Sequence, residues 1–116
     1  MEEDTRIDRI YYQKLVRDRI PELIRLQGDA CHVEELNYSD YKRELRVKLV
    51  EEANEALTAT STADLLTEIA DVYEVLYAFI LAYDISPEDV KRRQEQRHIE
   101  RGGFTRRLKL CWTEPC

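Results

Sequence analysis

Lys48-Leu49-Val50-Glu51-Glu52-Ala53-Asn54-Glu55 and Glu68-Ile69-Ala70-Asp71-Val72 are the stretches on which the fold turns. Each sets two acids three residues apart within an apolar run, and that spacing keeps both on one helix face, one turn apart. Around the first pair, Leu45, Leu49, Ala53 and Ala56 recur at helical spacing, which predicts a helix from about Asp40 to Thr58. Around the second, Leu65, Ile69, Val72, Leu76 and Ile80 predict a helix from about Thr62 to Tyr83. Only Ala59-Thr60-Ser61 separates them, so the two helices run antiparallel. At 100° per residue, Glu52 and Glu55 lie about 60° and 120° to one side of Leu49. Glu68 and Asp71 lie about 100° and 160° to the same side of Ile69. The hairpin therefore brings four carboxylates to one flank of its apolar seam.

The rest of the chain extends this hairpin. Pro21 suits the first position of a short helix ending before Gly28, and residues 29–37 read as an irregular or extended connection. Asn37 or Ser39 can cap the second helix, while Ser61 and Asp64 stand in capping-box spacing at the third. Ser86-Pro87-Glu88-Asp89 opens a fourth helix that Gly102-Gly103 stops. Leu108, Leu110 and Trp112 alternate within Phe104 to Trp112, suggesting a short strand or extended tail with Ile10 to Val16 as its partner. The expected fold is all-α: one domain over residues 1–116, an antiparallel helical hairpin core of about four helices, with short extended N- and C-terminal segments.

Composition narrows the function classes. With 3 Gly in 116 residues, no Gly-rich loop is available to cradle phosphate, and a many-stranded sandwich or barrel is disfavoured. A hydrophobic share of 43% beside 36% charged residues excludes disorder and suits amphipathic helices. The net charge of −6 speaks against a dedicated nucleic-acid binder. That charge is unevenly spread: residues 44–90 hold 11 acids against 2 bases, and the remainder 13 acids against 16 bases. No apolar run approaches the length of a membrane span and no signal peptide is evident, so a soluble cytoplasmic protein is expected. The odd, sparse cysteines Cys31, Cys111 and Cys116 read as reduced thiols. A Cys111–Cys116 disulfide or metal pair is a weak alternative, because two ligands do not make a site.

Four unpaired carboxylates on one flank repel one another and raise their own pKa values. The arrangement makes sense if divalent cations sit among them, and an oxygen-only donor set suits Mg²⁺, with Mn²⁺ able to substitute. Spacing alone does not decide this, since solvated helix flanks are often acidic and Asp71/Glu74 repeats the same spacing. An acidic hairpin with basic ends is nonetheless the charge pattern that a metal-plus-phosphate site needs.

The hairpin stretches quoted above resemble the all-α nucleoside triphosphate pyrophosphohydrolases, the superfamily of MazG, the all-α dUTPases and phosphoribosyl-ATP pyrophosphohydrolase. Lys14-Leu15-Val16-Arg17-Asp18-Arg19-Ile20-Pro21 resembles the opening signature of the small MazG-type house-cleaning proteins, and Arg101-Gly102-Gly103-Phe104 the R-G-G-F after their last helix. Three blocks in order, covering most of residues 11–110, make the resemblance specific. It implies a helical fold, obligate Mg²⁺, and hydrolysis of a nucleoside triphosphate, with non-standard or damaged ones included, to the monophosphate and pyrophosphate. Glu52, Glu55, Glu68 and Asp71 are then the metal ligands.

A carboxylate not fully engaged by metal can take the proton of the attacking water, which makes Glu51 and Glu55 the candidates beside Glu52 as catalytic acids. Lys48, one turn before Glu52, either reaches a phosphate or pairs with Glu52. Lys14, Arg17 and Arg19 are candidate phosphate contacts, with a surface salt bridge to Asp18 as the alternative. Arg101 and Phe104 are candidate ligand contacts through the family motif. Tyr73, Tyr77, Phe79 and Tyr83 read as core or subunit interface, and His32 and His98 have no partners at metal-ligand spacing. The third helix is apolar around much of its circumference from Val75 to Ile85, so a homodimer or higher homo-oligomer is expected. Phosphoribosyl-ATP hydrolysis is the alternative activity, disfavoured by the K-L-V-R-D signature. A non-catalytic helical binding module is the alternative class, disfavoured by the intact set of four acids.

Overall fold

A computed structural model describes residues 8–116. Among them the secondary structure is entirely helical: α1 (Ile20–Leu26), α2 (Tyr38–Thr58), α3 (Thr62–Ala82) and α4 (Pro87–Arg101). The chain divides between Tyr83 and Asp84 into two compact units. No helix among the described residues is long and apolar enough to cross a membrane.

The first unit is built on the hairpin of α2 and α3, each 21 residues and so about 30 Å long. Both starts are fixed by local chemistry. Asn37 accepts a hydrogen bond from the Asp40 N–H at 2.8 Å, so Asn37 rather than Ser39 caps α2 and the helix begins at Tyr38. Ser61 accepts from the Asp64 N–H at 3.0 Å and caps α3. Pro21 stands in the first turn of α1, as expected.

The buried core of this unit is small: Leu45, Val75 and the carboxylate-bearing Glu52. Leu49, Ala56, Glu68, Val72, Phe79 and Ile80 are half-buried. This corrects the expected seam on α3, because Leu65, Ile69 and Leu76 are exposed while Val75 and Glu68 are turned inward. Ala53, expected on the α2 spine, is exposed as well. α3 carries apolar residues on nearly every side, so periodicity does not single out its buried face.

The second unit holds α4. Ser86 occupies the cap position, but its hydroxyl donates to the Glu88 carboxylate at 2.8 Å, and the helix start is closed by Asp89 and Val90 N–H groups on the Ser86 carbonyl. That hydroxyl also holds the Glu88 carboxyl below its ordinary pKa. Gly102, at φ 80°, ends the helix in a conformation that disfavours side chains. Neither Phe104–Trp112 nor Ile10–Val16 is a strand, so the strand reading of these two segments is not met. The tail instead makes a turn in which the Arg107 N–H reaches the Phe104 carbonyl at 3.0 Å. Three alternating apolar residues give too little burial for a two-stranded ribbon, and Leu108, Leu110 and Trp112 are all exposed.

Candidate metal and phosphate site

The acids gather in two overlapping groups that share Glu52, rather than in the single set of four that helical spacing suggests. One carboxylate oxygen from each of Glu52, Glu68 and Asp71 lies within 4.8 Å of the others, and the same holds for Glu51, Glu52 and Glu55. Glu52 belongs to both groups and is the most buried acid, 7% exposed. Glu68 and Asp71 are half-buried and Glu55 is exposed, so the flank runs from the hairpin seam out to solvent.

Two oxygens in this cluster stand out. Glu52 Oε2 and Glu68 Oε2 are buried with no hydrogen-bond partner among the described residues. A buried polar atom without a partner is uncommon and costs about 1–3 kcal/mol, more when charged. Burial pushes the Glu52 carboxyl above its ordinary pKa, the neighbouring Glu55 adds to the rise, and Lys48 opposes it. Hard oxygen donors, crowded together, with two buried lone-pair-bearing atoms unspent, fit a divalent cation such as Mg²⁺ or Mn²⁺.

Cations ring the same flank. Lys48 Nζ lies 3.3 Å from Glu51 Oε1 and 3.4 Å from Glu52 Oε1, so the i,i+4 pairing, one of the two roles open to it, forms and a second partner joins. Lys14 Nζ stands 3.5 Å from the same Glu51 oxygen, leaving Glu51 between two ammonium groups. Arg17 donates from Nη2 to Asp71 Oδ1 at 2.7 Å, a pairing absent from the sequence reading. Arg19 pairs with Glu22 at 3.2 Å, beside the flank's cations in sequence but on an acid of α1. None of the three reaches Asp18 in these pairs. Arg101, the last residue of α4, and Phe104, 96% exposed, belong to the second unit.

A second cluster, also unanticipated, joins α2 to α3. Phe79 and Tyr83 stack with ring centroids 5.4 Å apart and planes 9° from parallel. The Arg46 guanidinium lies over both rings and donates to the Tyr83 hydroxyl from Nε at 3.2 Å and Nη2 at 3.1 Å. Lys42 Nζ sits 5.0 Å from the Tyr83 ring centroid. Phe79 on α3 and Tyr83 at its C-cap are thus half-buried packing groups, while Tyr73 and Tyr77 on α3 are exposed. Spacing of four at the end of α3 could have flagged the ring pair. Nothing local in the sequence points to Arg46 as its partner.

Residues 12–98 match the family described as phosphoribosyl-ATP pyrophosphohydrolase, a span that runs from the N-terminal basic segment through both acidic pairs and most of α4. No curated protein and no solved structure matches. The matched span exceeds half of the chain, and the protein belongs to the phosphoribosyl-ATP pyrophosphohydrolase family.

Proposed function

We propose that this protein is a Mg²⁺-dependent nucleoside triphosphate pyrophosphohydrolase that releases pyrophosphate and leaves the nucleoside monophosphate. The observation that carries the reading is the pair of buried, partnerless oxygens, Glu52 Oε2 and Glu68 Oε2, within a carboxylate cluster that includes Asp71. Glu52, Glu55, Glu68 and Asp71 would hold the ion, with Mn²⁺ able to replace Mg²⁺. Bound there, a divalent cation neutralises phosphate oxygens and acidifies a water molecule.

The chain's own groups divide the remaining work. Water oxygen bonds to the α-phosphorus, the bond from the α-phosphorus to the oxygen that bridges it to the β-phosphorus breaks, and pyrophosphate departs with that oxygen. Glu55, exposed and without a lysine partner in the structure, takes the proton from the water. Glu51, held between Lys14 and Lys48, positions those two ammonium groups rather than acting as the base. Lys14, Arg17 and Lys48 bind phosphate oxygens, and Arg17 can do so through two N–H groups at once. Arg19, Arg101 and Phe104 serve as further substrate contacts on the strength of their signature motifs.

The protein acts as a homodimer in this reading. Leu66, Ile69, Tyr73, Tyr77 and Leu81 form an exposed stripe along α3, while Leu45 and Val75 are the buried hydrophobic residues of the described chain. An apolar stripe of that length beside so small a core is what a second copy would cover.

The test is pyrophosphate release from a nucleotide panel that includes phosphoribosyl-ATP, with Mg²⁺ and with chelator, for wild type, Glu55→Ala and Asp71→Ala. Cleavage of a nucleoside triphosphate that chelator and both substitutions abolish is expected. Full activity in chelator or in the variants overturns the mechanism, and cleavage of phosphoribosyl-ATP alone overturns the substrate class.

A further inference from the structure

Cations of the chain itself already stand on the acidic flank that the proposed reading gives to metal. Arg17 holds Asp71 Oδ1, one of the proposed ligands, at 2.7 Å, and Lys14 reaches Glu51, next to the ligand Glu52, at 3.5 Å. Lys48 is fixed to α2, but Lys14 and Arg17 come from a segment without regular secondary structure, and their side chains are 41% and 56% exposed. Exposed ion pairs are individually weak, so this segment is tied to the hairpin by contacts that exchange readily. Glu52 Oε2, on a residue 7% exposed, lies partnerless in the same cluster, so the acids are not satisfied by the chain's own cations.

We propose that residues 14–17 form an exchangeable cationic strap. Arg17 and Lys14 neutralise Asp71 and Glu51, give up Asp71 to a divalent cation, and then turn the freed guanidinium to the polyphosphate. The guanidinium fork suits both partners, since it matches carboxylate and phosphate oxygens equally well. The strap competes with metal for Asp71 and cooperates with it once phosphate is present, because a metal that releases Arg17 supplies the group that binds substrate. The inference rests on the metal reading above, and its test separates the two.

Mn²⁺ binding to the full chain is measured by calorimetry for wild type, Arg17→Gln and Arg43→Gln, and trypsin cleavage after Arg17 is followed by mass spectrometry with and without Mn²⁺. Arg17→Gln is expected to bind Mn²⁺ about two- to fivefold more tightly, the range of one exposed ion pair. Arg43→Gln, whose arginine pairs with Asp40 at 2.9 Å, should match wild type. Mn²⁺ should speed cleavage after Arg17 in the wild-type chain. Unchanged or weaker binding by Arg17→Gln overturns the strap, as does an equal gain in Arg43→Gln, which would mark a bulk charge effect. Slower cleavage in Mn²⁺ also overturns it. A wild-type chain that binds no Mn²⁺ overturns the metal reading itself, and the strap with it.

Discussion

The α2–α3 hairpin carries charge in two opposite ways at its two ends. Toward the turn at residues 59–61, like charges are gathered: Glu52, Glu68 and Asp71 crowd within 4.8 Å and two buried oxygens have no partner. Toward the open end, unlike groups are matched: Arg46 covers the Phe79–Tyr83 stack and donates twice to the Tyr83 hydroxyl. The first arrangement lowers stability and is what a ligand-binding centre needs. The second raises stability and requires no ligand. Two helices thus hold an unsatisfied site at one end because they are clamped at the other.

The sharpest way to break this comparison is to neutralise an acid. Glu68→Gln and Asp71→Asn should lower kcat/KM on the order of a hundredfold or more, the scale of removing a preorganised electrostatic group from a reacting centre. In chelator the melting temperature of Glu68→Gln should stay level or rise, since like-charge repulsion is removed, and that of Asp71→Asn should stay level, since the lost exposed pair with Arg17 offsets the same gain. Loss of stability parallel to loss of activity would place these acids among the structural groups instead.

Metal addition is the next largest effect. A ligand that binds only the folded chain stabilises it by about 2.7 kcal/mol at a concentration 100 times its Kd. Titrating Mg²⁺ or Mn²⁺ during thermal unfolding should raise the melting temperature of wild type, and Asp71→Asn should lose most of that rise.

The open end makes the converse prediction. Tyr83→Phe should cost about 1 kcal/mol for the lost hydrogen bond, and Arg46→Ala about 1–2 kcal/mol because its contact with the rings goes too. Urea unfolding reads both. Neither substitution should alter metal affinity, and a change there would mean that the two ends are coupled rather than divided in role.

How far the sequence could be read follows the range of each interaction. The helices and their starts were legible, because the Asn37 and Ser61 caps act on an N–H three residues away and the acid spacing acts within one turn. The acid cluster was legible for the same reason, given a short turn. The buried face of α3 was not, because Leu65, Ile69 and Leu76 compete with Val75 and no polar stripe marks the outside. Arg17 on Asp71 joins residues 54 apart through a segment with no periodicity, so no pattern foretells it. The tail's alternation misled because two-residue periodicity needs a partner strand to become structure.

The smallest expected effect compares the two caps. Asn37 and Ser61 accept from their third N–H groups at 2.8 and 3.0 Å, so replacing either by Ala should cost about 1 kcal/mol if both helix starts are equally well formed. Asn37 caps the helix start at the clamped end, whereas Ser61 closes the turn beside the crowded acids. If carboxylate repulsion loosens that turn in chelator, part of the Ser61 cap is already lost in wild type. Ser61→Ala would then cost less than Asn37→Ala, and the difference would close in Mn²⁺. Equal costs in both conditions, read as shifts of the urea midpoint at constant slope, would show that the repulsion is borne by the side chains alone and that the backbone of the site is rigid before any ion binds.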